Sequence, residues 1–242
     1  MKNNWQKNVL LILLASISLG SYSCSFIGNC VEGEGKIVEE SLDLEEFSEI
    51  EVYGASKVHL TQGDKQSVSI KAQSNLIELL NKEVNGDTWE IKFKKCVQYN
   101  EGVEIFIVVP DLNEIGIHGS GEVIGEDVFH CKNLELDIKG SGEIRLNLRA
   151  EKVESNIAGS GDIILEGKTN AHSISIQGSG DIAAYELEAA DTEVDIKGSG
   201  DVKVNTNSSL DVEIYGSGDV YYRGDVQNVS SEIRGSGNLS RK

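Results

Sequence analysis

Six carboxylates recur at one fixed place in the chain. Glu122, Glu143, Asp162, Asp181, Asp201 and Asp219 each follow a Gly-Ser-Gly triplet, and Asn238 follows a seventh. If the segments stack as neighbouring strands about 4.8 Å apart, these acids form a column. Adjacent unit charges at that distance repel by roughly 1 kcal/mol in water and about 3–4 kcal/mol at a surface-like dielectric, so something must relieve them. One relief is splaying into solvent beside Lys139, Arg145, Lys197, Lys203, Arg223 and Arg234, which share the outward phase. The other is Ca²⁺, whose all-oxygen preference suits carboxylates and hydroxyls. Against calcium stands the period, because the glycine-rich calcium-binding solenoids use a nine-residue repeat.

Other chemistry is sparse. The sequence contains no CxxC or Cys/His cluster, and His59, His118, His130 and His172 are scattered and read as surface residues. No cofactor, catalytic residue or metal ligand beyond the acid column is expected. A solenoid polysaccharide lyase or hydrolase would need an Asp, Arg, Lys or His cluster on loops that interrupt its coils. A carbohydrate-binding surface would need exposed aromatics, for which Tyr185, Tyr215 and Tyr221 are the outward candidates.

The elements that position these residues come from the repeat. Gly-Ser-Gly begins at 119, 140, 159, 178, 198, 216 and 235, and a period near twenty residues marks a stack of similar units. Two residues before each triplet stands isoleucine: Ile117, Ile138, Ile157, Ile176, Ile196, Ile214 and Ile233. Two residues after it stand Val123, Ile144, Ile163, Ile182, Val202, Val220 and Leu239. Alternation of this kind puts the aliphatics on one side of a strand and the serine and acid on the other. A single unit cannot bury its aliphatic face, but coils laid on one another can. The expected fold is all-β, a right-handed parallel β-solenoid, with glycine wherever the coil turns.

Earlier segments repeat the pattern loosely at "EGEGKIVEE" and "EVYGASKVHL", which places degenerate rungs over 33–118 and regular ones over 119–242 of a single domain. An irregular stretch near 74–96 interrupts them. Asn75 with Glu78 reads there as an N-cap pair opening a helical turn, and Asn85-Gly86 as a hairpin turn.

At the N-terminus, Lys2 and Lys7 precede the run "VLLILLASISLG" and then "SYSC". This reads as an export signal over 1–23, its apolar run too short to span a bilayer. Cys24 matches the acceptor cysteine of a bacterial lipoprotein signal, although Ser21 stands where leucine is usual; a tether over 24–32 follows. Loss of the leader leaves 20 basic against 40 acidic residues, a balance that repels nucleic acid. Cys30, Cys96 and Cys131 remain, an odd number whose pairing the sequence leaves open.

With the leader, "LTQGDKQSVSIKAQSNLIELL", the Asn-Gly hairpin and the seven Gly-Ser-Gly rungs in place, the chain resembles the putative auto-transporter adhesin, head-GIN domain family. The resemblance covers roughly residues 33–242, including the opening "GEGKIVEESLDLEEFSEIEVYGASKVHLTQGD". It implies an exported β-solenoid of adhesin type at the outer membrane, cell surface or periplasm, with a glycan or protein ligand and no catalytic residues to carry over. A calcium-stabilised structural protein and a carbohydrate-active enzyme are the alternatives. A homo-oligomer through the C-terminal end of the solenoid is expected from the uncovered "EIRGSGNLSRK" rung.

Overall fold

The computed structural model describes residues 30–98 and 102–242; the leader, Cys24 and most of the tether lie outside the described residues. In chain order the strands are β1 (Val31–Glu32), β2 (Ile37–Leu42), β3 (Glu49–Gly54), β4 (Lys57–Gln62) and β5 (Ser67–Gln73). A one-turn helix, α1 (Ser74–Ile77), comes next, then β6 (Val84–Asn85), β7 (Thr88–Ile91), β8 (Val97–Gln98), β9 (Glu104–Val109), β10 (Glu114–Gly119), β11 (Glu122–His130) and β12 (Asn133–Gly140). Four long strands follow: β13 (Glu143–Gly159), β14 (Asp162–Gly178), β15 (Asp181–Gly198) and β16 (Val202–Gly216). The remainder is β17 (Asp219–Arg223), β18 (Asn228–Gly235) and β19 (Asn238–Arg241).

Parallel pairing arranges these strands as a flattened coil with two faces. Face A runs β7, β3, β10, β12, then the C-terminal halves of β13 to β16, then β18. Face B runs β9, β4, β11, then the N-terminal halves of β13 to β16, then β17 and β19. The expected parallel β-solenoid is therefore the observed fold.

The glycine triplets form the near corner. The serine amide of each triplet donates 2.8 Å to a glycine carbonyl one coil earlier, as Ser179 does to Gly159 and Ser199 to Gly178. That carbonyl occupies the place of a Cβ: one added at Gly178, where φ is +137°, would lie 2.2 Å from the Gly159 oxygen. Only glycine satisfies both the positive φ and the backbone approach. At the far corner, buried threonines staple the bend. Thr169 Oγ1 donates to the Glu151 and Ala171 carbonyls, and Thr206 Oγ1 to those of Ala190 and Ser209.

Between the faces, the isoleucine column is buried from Ile117 to Ile214, and Ile233 is 38% exposed. The facing column, Val123 to Val220, is equally buried, with Leu239 partly so. Burial of these aliphatics against their counterparts supplies the cohesion that no single coil has.

The N-terminal third departs from the regular pattern in two ways. First, the coils are not stacked in chain order: β7 and β9 pair with β3 and β4 on the side away from β10 and β11, so the β3–β4 coil lies inside a later one. Second, "GEGKIVEE" is not a rung. Its β2 pairs antiparallel with β5, which pairs antiparallel with β9. The 74–96 stretch covers this end, with Leu76, Ile77, Leu80 and Trp89 buried and Trp89 packed 5.5 Å from Phe47. The expected hairpin is present but its turn is shifted by one residue: Asn85 pairs with Thr88 at the end of β6, and Gly86-Asp87 form the turn, with Gly86 at φ +64°. Asn75 does not cap α1, whose N-cap is Gln73. Its side chain instead accepts from the Glu34 amide and donates to the Glu32 carbonyl, tying down the preceding segment.

Candidate functional site

The acid column lies on face B beside the near corner, as the repeat requires, and the backbone relieves it. Asp162, Asp181 and Asp201 each accept the amide of the next acid, at 3.3, 2.7 and 2.9 Å. An amide on a carboxylate stabilises its charged form, so the column is a hydrogen-bonded ladder at its aspartate rungs. At the glutamate rungs cations serve: Lys57 pairs with Glu122 at 3.1 Å and Arg145 with Glu143. Tyr221 donates to Asp219. Lys197, Arg223 and Arg234 pair elsewhere, with Asp195, Glu186 and Glu232. Among the described residues no three His, Cys, Asp or Glu side chains converge in a metal-holding group.

The outer side of face A carries chemistry that the triplets did not signal. Five residues before the near-corner glycine stand Glu49, Glu114, Glu135, Glu154, Ser173, Glu193 and Asp211, aligned across successive coils. Three residues before it stand Glu51, Gly116, Asp137, Asn156, Ser175, Asp195 and Glu213. Two acid-rich rows therefore run along the stack, the first broken at Ser173 and the second at Gly116, Asn156 and Ser175. Burial, followed by the charges of Glu135, Glu51, Glu49 and Asp137, pushes the Glu114 carboxyl up to about 7. The signal for these rows was present as acids alternating with aliphatics in "SEIEVYG" and "LELDIKG", but it emerges only when the coils are aligned.

A third row, one residue before the corner glycine, is cationic and aromatic towards both ends and carries Ala158 and Gln177 at its centre. Lys92 lies 5.7 Å over the Tyr53 ring, which stacks on His118 at 4.5 Å; further along, Arg234 lies 5.2 Å over Tyr215. Glu51 fills the space above Gly116 and bonds His118. A cleft of about 360 Å³ opens here between Tyr53, Lys92, Lys95 and the Gly119-Ser120 corner. Tyr185 and Tyr221 are on face B, beneath Arg223 and Lys242 at 5.0 and 4.8 Å. The three predicted tyrosines thus point outward but do not form one site.

His172 is not a surface residue. It takes an inward position between Val153 and Thr192, is 2% exposed, and shares a 3.0 Å hydrogen bond with Ser155. Burial lowers its pKa to about 4, so it packs as a neutral core side chain. His59 and His118 are paired with Glu126 and Glu51. Cys30 and Cys96 are disulfide-bonded, whereas Cys131 is a half-buried free thiol whose pKa burial pushes up. Among the described residues no helix is long and apolar enough to cross a membrane.

Comparison with known proteins agrees with this architecture. Residues 46–226 match the family model described as "Putative auto-transporter adhesin, head GIN domain". A solved "putative adhesin" from Bacteroides fragilis superposes with a TM-score of 0.83 at 26% identity, over 88% of this chain and all of its own. A "putative lipid binding protein" from Parabacteroides distasonis gives 0.75 at 27% identity, over 88% of this chain and 99% of its own. A "putative adhesin" from Parabacteroides merdae, 21% identical, shares the fold at a TM-score of 0.74, over 89% of this chain and all of its own. No curated protein sequence matches.

Proposed function

Because the chain belongs to the auto-transporter adhesin head GIN domain family, we propose that it is an exported, lipid-anchored solenoid that presents face A as an adhesive surface to a glycan or protein. The observation that carries this reading is the alignment of the three outward rows. Parallel coils place chemically similar groups one strand spacing apart along the stack, so a repetitive partner meets the same weak contact many times and gains avidity. With two acid rows and a cationic aromatic row side by side, a partner rich in hydroxyls or carrying basic groups fits better than a polyanion. Cys24 is the anchor, holding the head at the outer membrane, at the cell surface or on its periplasmic side.

Binding of the purified chain to glycan and host-matrix arrays tests the surface, alongside a variant carrying Tyr53→Ala, Glu193→Ala and Tyr215→Ala. Native binding that the variant loses supports face A. Equal binding by both, or adherence of expressing cells no greater than that of deleted cells, overturns it. For the anchor, native protein should partition with membranes and Cys24→Ala should not; equal partition would remove the lipid from the proposal.

A further inference from the structure

Ile37, Val38, Phe106, Val128, Val229 and Ile233 are the exposed large apolar side chains among the described residues. Four of them sit on β2 and β18, at opposite ends of the stack as the strand pairings run from β2 through β5, β9 and β4 to the coil that carries β18. The two extremes are built differently. Beside β2 the core is closed by Phe47, Leu76, Ile77, Leu80 and Trp89. At the other extreme the β18–β19 coil is intact but uncovered: all of β18 is exposed, and among the described residues no strand pairs with the outer edge of β18 or β19. Two open edges flanking an exposed core are a template for further strands.

We propose that the β18–β19 coil is a self-complementary docking surface, which pairs with the same coil of a second copy about a twofold axis normal to both faces. Ile233 stands two residues before Gly235 and Leu239 two residues after Gly237, symmetrically about Ser236. They therefore oppose each other across the core, continuing the columns of Ile214 and Val220. One axis through both residues matches both edges at once: β18 pairs antiparallel with β18 of the second copy, and β19 with its β19. The core then runs on, isoleucine against isoleucine and leucine against leucine. An identical coil has two open edges at the required separation, which a single added strand lacks.

Charge selects the register. With the axis through Ile233, Glu232 faces Arg234 of the second copy and Arg234 faces its Glu232, while Asn238 faces Ser240. Sliding the axis by one core position, to Ser231, would set Arg241 against Arg241. In the single chain Arg234 pairs with Glu232 of its own strand and lies over Tyr215, so the same side chains are already poised at the edge. The acid row that ends at Glu232 then abuts a cation from the second copy. The contact is isologous, so it closes at two copies.

Sedimentation velocity on the purified chain, from about 1 to about 100 µM, reads the association. A reversible monomer–dimer equilibrium is expected. Glu232→Arg, which sets like charges against each other across the axis, should raise the dissociation constant by about tenfold or more, and adding Arg234→Glu should restore it to within about threefold. Circular dichroism melts of each variant establish that the coil itself remains folded. A strict monomer at the highest concentration overturns the proposal, as does a dimer indifferent to Glu232→Arg. Mass that climbs beyond the dimer overturns the twofold arrangement in favour of head-to-tail growth.

Discussion

Alanine at the first glycine of a central triplet should damage the solenoid on the scale of a core truncation, although it adds only one methyl group. In Gly178→Ala the new Cβ would lie 2.2 Å from the Gly159 carbonyl oxygen, a backbone atom, at a φ of +137°. The backbone strain costs about 1–3 kcal/mol. Relieving the clash means parting the coils where Ser179 donates 2.8 Å to that same oxygen, a loss of about 1 kcal/mol. The lower chain entropy of alanine in the unfolded state offsets about 0.4–1 kcal/mol, which leaves a net loss of about 1–4 kcal/mol. Two further glycines separate the contributions. Gly180 has no positive φ, but its Cβ would meet the Gly161 oxygen at 2.3 Å, so Gly180→Ala reports the clash. Gly86 has φ +64° with nothing within 4 Å, so Gly86→Ala reports backbone strain, about 1–2 kcal/mol. Urea unfolding followed by circular dichroism would rank the variants against Ser179→Ala, which should stay within about 0.5 kcal/mol. If Gly180→Ala cost no more than Ser179→Ala, the account of the corner as a stack of carbonyls that exclude Cβ would be refuted.

Three other outcomes are expected. Ile176→Ala, at a fully buried position, should cost about 2–5 kcal/mol, and its outward neighbour Gln177→Ala less than about 0.5 kcal/mol, in the same unfolding assay. Glu114, whose folded pKa is raised to about 7, contributes stability that is present below its unfolded value and lost as pH rises through 7. Glu114→Gln should therefore stabilise the protein by about 1 kcal/mol at about pH 8.5, a figure discounted for solvent screening, and by nearly nothing at about pH 4, as melts at the two pH values would show. Because amides already occupy the aspartate rungs of the ladder, millimolar Ca²⁺ should leave the melting temperature unchanged; a rise of more than about 2 °C would restore the calcium-stabilised alternative.

Local alternation and a fixed period were enough to read the regular coils from the sequence. An isoleucine two residues before every glycine triplet faces one way in any strand, and seven repetitions at one period leave stacking as the means of burying it. The glycines are legible for the same reason, since φ and close approach are properties of the residue itself. Spatial order is different. That β7 and β9 would slip outside β3 and β4, or that β2 would run antiparallel to β5, depends on which edge each strand finds, and edges exist only once the earlier coils have formed. Alternation reads the same in either direction of pairing. His172 was misread because a lone histidine carries no phase until its coil is aligned with Val153 and Thr192. The acid rows of face A were hidden in the same way. Each coil contributes only one or two acids, and the burial and neighbouring charges that raise the pKa of Glu114 arise only when three chain segments, β3, β10 and β12, lie one strand spacing apart. Side-chain periodicity is written in the sequence, but the neighbour across the ladder is chosen by the fold.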